Sequence, residues 1–452
     1  MSTVATDALL EEIQELIRER ERDGVAGLAE RVGPAEWAAL VPRLDPQEVA
    51  VLLHWLPDEE IPEVLEELDP HEAAAILRTL SRQDAAALLA EMDPDDAADV
   101  VENLTEPEVD QILVRMAPEE AEELRRLSGF EPDSAGGIMT PEFVAVTADA
   151  TTDGAIAAIR SLVGQAETVD YVYVVDGERR LIGVLSLYRL MLSPGRTPVT
   201  DLIAPTTVRV RASADRETAA NLLTERNLLA IPVVDDEDHL LGIITQDDVA
   251  DVLEAEATED IERLGGSQPL NVPYRLSSVS LLVRKRVGWL LLLFVAEAYT
   301  GSVLRAFSDE LEAAVALSFF IPLLIGTGGN IGSQTVTLIV RAMALNEVSL
   351  RDVAWIVWKE LRVGLVIGIV MAVVAIGRAA LLNVPSNVGL VVAVTILAIC
   401  VWSAIVAAIL PLVLRRLRID PAVVSAPLIT TLVDGTGLII YFEIARWLLR
   451  LG

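Results

Sequence analysis

Cysteine and histidine are nearly missing from this chain of 452 residues: Cys400 stands alone, and His54, His71 and His239 are its imidazoles. A lone cysteine excludes intrachain disulfides and any zinc site built on several thiolates. The histidines are too scattered to suggest a metal cluster of their own. Basic residues are scarce as well, 35 Lys and Arg against 68 Asp and Glu, for a net charge of −33. A surface of that sign repels phosphate backbones, so nucleic acid is not expected as a partner. HExxH, Walker A and Gly-x-Ser-x-Gly patterns are absent, and no catalytic constellation points to an enzyme. Residues 1–15 are polar and acidic without a long apolar core, so no signal peptide is read there and the N-terminal part is expected to be cytoplasmic.

A chain this acidic is nevertheless 52% hydrophobic, and the contradiction resolves when it is divided near residue 279. Residues 279–452 hold 14 basic and 10 acidic side chains, whereas residues 1–278 hold 21 and 58, a net of −37. An acidic, soluble part is thus joined to an apolar part that belongs in a bilayer, and the length suggests about three domains in all.

From residue 44 a period of twelve is readable in Leu44, Leu56, Leu68, Leu80, Met92, Leu104 and Met116. Asp-Pro follows three of these anchors, at Asp45-Pro46, Asp69-Pro70 and Asp93-Pro94. Asp accepts from the free amides of a helix start and Pro suits the first helical position. Asp45 with Glu48 and Asp69 with Glu72 have capping-box spacing. Each unit is therefore one helix of about two turns, too short to be stable alone, and the units must stack as an all-α solenoid over residues 1–133. Its densest carboxylate cluster is Asp93, Asp95, Asp96 and Asp99. Two readings stand side by side, a cation-sensing surface and a solvated face that keeps the module soluble.

Residues 134–246 repeat one pattern at an offset of 59. Val174-Val175-Asp176 with Gly183-Val-Leu-Ser186 is echoed at that offset by Val233-Val234-Asp235 with Gly242-Ile-Ile-Thr245, and Met139-Thr-Pro is echoed by Ile203-Ala-Pro. Apolar strand pairs around a polar turn, each followed by a helix, predict a β-α-β-β-α unit twice over. This resembles a pair of cystathionine-β-synthase (CBS) domains, in which an Asp three residues after the Ser/Thr holds a ribose. Asp248 has that place in the second copy and Arg189 in the first, so the resemblance implies at most one ATP site, at Asp248. A purely structural dimerisation module is the alternative.

Acidic residues crowd 247–264, a stretch free of Gly and Pro that predicts a connecting helix ended by Gly265-Gly266, with a linker to 278. Five apolar spans follow near 287–306, 313–340, 363–382, 388–414 and 423–445, each approaching the ~20 residues that cross a bilayer. With the N-terminus inside, Arg284, Lys285, Arg286, Arg341, Arg351, Lys359, Arg362, Arg415, Arg416 and Arg418 lie on the cytoplasmic side. Only Arg305, Arg378, Arg446 and Arg450 lie outside, so the positive-inside rule favours this orientation, with the C-terminus outside. Gly364 and Gly368 form a GxxxG pair suited to close helix packing. The second span carries Gly326-Thr-Gly-Gly-Asn330-Ile-Gly332-Ser-Gln334, small and polar residues that mark tight packing or a water-lined path. The fifth carries Thr430-Thr431-Leu-Val-Asp434-Gly-Thr436-Gly437. A charge at Asp434 is costly in mid-membrane unless water or a cation meets it. The neighbouring prolines and glycines are expected to loosen this helix and free carbonyls. Glu297, in the first span, is a second candidate, and Glu443 is expected near the outer interface.

Gly-Thr-Gly-Gly-Asn330-x-Gly-x-Gln334, Pro427-Leu-Ile-Thr-Thr-Leu-Val-Asp434 and the Ser134-Ala-Gly-Gly-Ile-Met139-Thr-Pro junction resemble the MgtE family of magnesium channels, as does the order of parts. Ser333 departs from the Asn common there. The resemblance implies a homodimer in the bacterial inner membrane that conducts Mg²⁺, with Asp434 of both subunits on the pore axis and Asn330, Thr430 and Thr431 lining it. It also implies closure by cytoplasmic Mg²⁺, for which Asp93, Asp96, Asp248, Asp251, Glu259, Glu360 and Asp420 are the candidate ligands. A nucleotide-regulated secondary transporter of Co²⁺ or Mn²⁺ and a non-conducting magnesium sensor are the alternatives.

Overall fold

The computed structural model describes residues 3–29, 31–162, 166–204, 208–345 and 347–450. The chain divides into two units, Met1–Ala255 and Glu256–Gly452, and each is described by itself.

In the first unit the twelve-residue period is one short helix and one turn. The helices are Pro46–Trp55, Glu60–Glu66, Pro70–Thr79, Arg82–Glu91, Pro94–Glu102, Glu106–Leu113 and Pro118–Leu127. Leu44, Leu56, Leu68 and Met92 are buried, and Leu80, Leu104 and Met116 pack half-buried against the same core. The anchors fall in the turns, where an apolar side chain closes one helix onto the next; a helix this short gains its stability from such burial and not from its own hydrogen bonds. Asp45 caps its helix, accepting from the N–H of Gln47 and Glu48, while Glu48 closes the capping box. Asp69 accepts from the His71 N–H. Asp93 departs from expectation: its side chain makes no cap bond.

Two three-stranded sheets follow. Strand β1 (Phe143–Thr147) runs parallel to β2 (Thr168–Val175), which pairs antiparallel with β3 (Leu181–Ser186). Strands β4 (Val210–Arg211), β5 (Ala230–Val234) and β6 (Leu240–Thr245) repeat this order. Helices Thr152–Leu162 and Arg216–Arg226 cross between the parallel strands, as parallel pairing requires. The strand expected from Ile203 shrinks to two residues; Pro205, Thr206 and Thr207 lie outside the described residues. The connecting helix, Gln246–Leu264, starts directly from β6.

The second unit contains five helices long and apolar enough to cross a membrane: Val279–Ala306, Val315–Ala344, Val353–Leu381, Ser386–Arg416 and Ala426–Leu449. Gly364 and Gly368 meet the fourth span so closely that a Cβ on either would stand 3.0–3.2 Å from the backbone or Cβ atoms of Leu397, Cys400, Val401 and Ala404. The glycines of the second span serve packing too. A Cβ on Gly328, Gly329 or Gly332 would stand 2.4–2.8 Å from Ile399, Val433, Thr430 or Ile429. Small residues thus let the second span reach the fourth and fifth, as membrane helices without a hydrophobic drive between them require.

Candidate functional site

The fifth span corrects one expectation. Pro427 lies in its first turn, where a missing N–H costs nothing, and the helix runs unbroken past Gly435 and Gly437. The hydroxyls of Thr430, Thr431 and Thr436 donate to the carbonyls of Ala426, Pro427 and Leu432, four residues back. No carbonyls are released by a broken helix. Asp434 itself is 7% exposed, and its Oδ1 has no hydrogen-bond partner among the described residues. Asn330, Gln334, Thr337 and Arg341 are exposed on the second span at spacings of four, three and four, which places them on one helix face. At the edge of that face, Ser333 lies 3.5 Å from the Thr430 hydroxyl. A polar stripe on a membrane helix cannot face lipid tails, so water or another chain must cover it.

The first unit contains the second site. Asp93, Asp95, Asp96 and Asp99 from the solenoid meet Glu142 and Glu167 from the first sheet region and Asp247 and Asp248 from the start of the connecting helix. Carboxylate oxygens of Glu66, Asp93 and Asp96 lie within 4.8 Å of one another, and so do those of Asp93, Glu142 and Glu167. Asp93 is common to both groups. Burial and neighbouring carboxylates raise Asp93, Asp95, Asp96, Asp99, Glu142, Glu167 and Asp248. Asp96 is pushed up to about 9 by burial, then by Asp95 and Glu66, and Asp99 to about 7 by burial and Glu102. Glu142 and Glu167 are each pushed to about 7 by burial and by Asp93. Asp95 is raised well above its usual range by burial and Asp248, and its Oδ1 is buried with no hydrogen-bond partner among the described residues. Like charges held this close strongly disfavour full ionisation unless a cation joins them. All-oxygen donors with flexible geometry suit Mg²⁺, Ca²⁺ or Mn²⁺ over softer metals.

Asp248 stands within this group of carboxylates. Its carboxylate accepts from the Thr245 N–H at 2.9 Å and the Thr245 hydroxyl at 2.8 Å, and burial pushes it up to about 6. The cleft of the sheet region is lined instead by Tyr171, Ser186 and Arg189 of the first copy and by Ala204, Leu228 and Pro232 of the second. Asp248, the expected ribose contact, is not among the residues that line this cleft. Arg189 does line it, with one guanidinium N–H donated to the Leu202 carbonyl at 3.0 Å.

The remaining candidates lie elsewhere. Asp251 is one turn along the connecting helix, raised by burial and by Glu254 and Asp247. Glu259 and Asp420 are both ion-paired with Arg263, and Asp420 also accepts from the Ala422 N–H. Glu360 lies on the third span, Val353–Leu381. The helix end is held further by Gly266, packed against Trp289 and Pro427, and by the Lys285 ammonium donating to the Pro269 carbonyl at 2.5 Å.

A profile for divalent cation transporters of the MgtE type matches residues 321–444, one for the MgtE intracellular N domain matches 32–133, and CBS-domain profiles match 135–193 and 199–255. The magnesium transporter MgtE of Thermus thermophilus is 43% identical over 328 residues, 73% of each chain. The chain belongs to the MgtE family. The magnesium transporter MgtE of Enterococcus faecalis is 34% identical over 73% of this chain and 72% of its own, and that of Bacillus subtilis 33% over 71% and 70%. Among solved structures, the cytosolic domain of the Mg²⁺ channel MgtE in complex with ATP is 35% identical, with a TM-score of 0.52, covering 54% of this chain and 99% of that one. The soluble part of a magnesium transporter is 31% identical, with a TM-score of 0.51, over 56% and 99%. The acidic helical domain, the CBS pair and the five spans are thus the parts of an MgtE transporter in MgtE order.

Sequence reasoning missed Glu66, Glu142 and Glu167 in the acidic site. Glu142 and Glu167 stand in ordinary strand-flanking positions, far from Asp93 in sequence. No local pattern marks them; only the docking of the sheet region on the solenoid does.

Proposed function

We propose that this MgtE chain is a Mg²⁺-selective channel of the bacterial inner membrane, homodimeric, with cytoplasmic N-terminal domains and the C-terminus outside. The observation that carries this reading is Asp434: a carboxylate in mid-span, 7% exposed, with an oxygen that no described group satisfies. Burying such a charge costs about 3 kcal/mol or more. A hydrated cation offsets that cost where lipid does not. The exposed stripe of Asn330, Gln334 and Thr337 needs cover, and a second copy across a twofold axis would bring two such stripes, with Thr430, Thr431 and two Asp434 side chains, to one aqueous path. Mg²⁺ sheds water reluctantly, so it is held there through its water shell.

Closure by cytoplasmic Mg²⁺ follows from the acidic cluster. Without a cation, the carboxylates of the solenoid, sheet region and connecting helix repel. Mg²⁺ on Asp93 and Asp96, with Glu66, Glu142 and Glu167, favours the compact arrangement and so shifts the population toward it. The connecting helix contributes Asp247 and Asp248 to that cluster, and through Arg263 it is tied to Asp420. One helix therefore couples the sensor to the membrane part. ATP occupies the cleft beside Tyr171 and Arg189 in this reading, as an added regulator.

The deciding experiment is Mg²⁺ influx into vesicles containing the purified protein. Influx that saturates with external Mg²⁺ and falls as internal Mg²⁺ rises is expected; no flux at all would reduce the protein to a sensor. A nucleotide-regulated secondary transporter of Co²⁺ or Mn²⁺ is the second reading, favoured by Glu297 as a further intramembrane carboxylate. It requires uptake against a gradient driven by a second ion.

A further inference from the structure

The first and fifth spans run in the same direction with a fixed register. The Trp289 indole N–H donates to the Ser425 hydroxyl at 3.1 Å. Ten residues further along each helix, Tyr299 and Thr300 press on Gly435: a Cβ there would stand 2.2 Å from the Tyr299 ring and 3.3 Å from Thr300 Oγ1. Glu297 is eight residues beyond Trp289 and Asp434 nine beyond Ser425, so at 1.5 Å rise per residue they stand ~12 and ~13.5 Å from that hydrogen bond. The two carboxylates are level in the membrane.

Thr300 differs from most threonines of the spans; Thr395, on the fourth, is the other buried one whose hydroxyl has no partner among the described residues. The hydroxyls of Thr327, Thr337, Thr430, Thr431 and Thr436 each donate to the carbonyl four residues back. Thr300, 5% exposed, has no hydrogen-bond partner for Oγ1 among the described residues. Asp434, next in the chain to the Gly435 that Thr300 approaches, has none for its Oδ1 either. A structural hydroxyl–carboxyl pair would bond to each other or to backbone, because a buried unsatisfied polar atom costs about 1–3 kcal/mol. Two such atoms at the contact between the first and fifth spans, with a second carboxylate at the same depth, point to a bound group that both address.

We propose that Glu297, Thr300 and Asp434 form a single cation station between the first and fifth spans, taking a hydrated divalent cation. Water on the ion donates to the two carboxylates, and the Thr300 hydroxyl orients it. Glu297 is then a second affinity-determining residue of the path, supplied by a helix that carries none of the glycine- and asparagine-rich motif. This rests on the reading of Asp434 as an ion-path residue.

The test is Mg²⁺ influx into vesicles containing the full-length protein, measured against external Mg²⁺ for Glu297→Gln, Thr300→Val, Thr300→Ser and Asp434→Asn. Glu297→Gln should raise the half-saturating Mg²⁺ concentration about five- to tenfold, as loss of one charge-assisted contact predicts. Thr300→Val should raise it less, and Thr300→Ser should restore it. An unchanged half-saturation in Glu297→Gln, with Asp434→Asn inactive, overturns the station and leaves the Asp434 reading standing. Normal influx in Asp434→Asn overturns that underlying reading instead. Should Glu297→Gln fail to assemble, equal half-saturation in the Thr300→Val and Thr300→Ser proteins overturns the station.

Discussion

Asp93 donates its backbone N–H to the Glu66 carboxylate at 2.8 Å, and its own side chain leaves the Pro94–Glu102 helix uncapped. Asp45 and Asp69, in the same Asp-Pro context, spend their carboxylates on helix caps. A cap is worth about 1 kcal/mol, and at Asp93 that contribution is given up so that the side chain can join Asp96, Glu142 and Glu167. The same tripeptide pattern serves stability twice and charge clustering once.

Asp434→Asn keeps size and shape and removes the charge. Mg²⁺ influx is expected to fall about ten- to a hundredfold, as loss of a charge-assisted contact implies. Gel filtration should show the assembled protein unchanged. Wild-type influx in this variant would refute the pore assignment.

The acidic cluster makes stability depend on pH in a definite direction. Asp96, Asp99, Glu142, Glu167 and Asp248 hold their protons up to about 9, 7, 7, 7 and 6 in the folded chain, against ordinary values of 3.8 for Asp and 4.5 for Glu. Their contribution to stability is therefore full below about pH 4 and is lost as the pH rises through the folded values. In chelator, thermal unfolding at pH 8.5 should begin several degrees below that at pH 6, and millimolar Mg²⁺ should close the gap. Asp96→Asn should flatten the pH dependence and weaken the Mg²⁺ effect. A wild-type melting curve indifferent to Mg²⁺ at pH 8.5 would rule out a cation site here.

Arg263→Ala leaves Glu259 and Asp420 without their shared partner. Partly exposed ion pairs contribute up to about 1 kcal/mol, so cleavage by protease near residues 256–270 should rise by up to about fivefold. Identical digestion of variant and wild type would show that Arg263 does not hold the helix end.

Nucleotide binding separates Arg189 from Asp248. Calorimetry with ATP should show weaker binding in Tyr171→Ala and Arg189→Ala, whose side chains line the cleft, and unchanged binding in Asp248→Ala. Loss of binding in Asp248→Ala alone would restore the ribose role that the resemblance to CBS domains suggested.

The parts list was legible in the sequence because each part is governed by a local rule. A twelve-residue apolar period, alternating strands around Asp-containing turns and five long apolar runs each follow from burying one face or a whole helix. Asp434 was legible for the same reason, since a single charge in an apolar span is visible without neighbours. Tertiary structure decided everything that depends on which groups meet. It set Asp93 toward Glu142 and Glu167, gave Arg263 to Glu259 and Asp420, and turned the glycines of the second span into packing sites. It also brought Thr300 against Gly435. Electrostatics and unsatisfied hydrogen bonds act over a few ångströms of space, whatever the distance along the chain, so only the fold could show them.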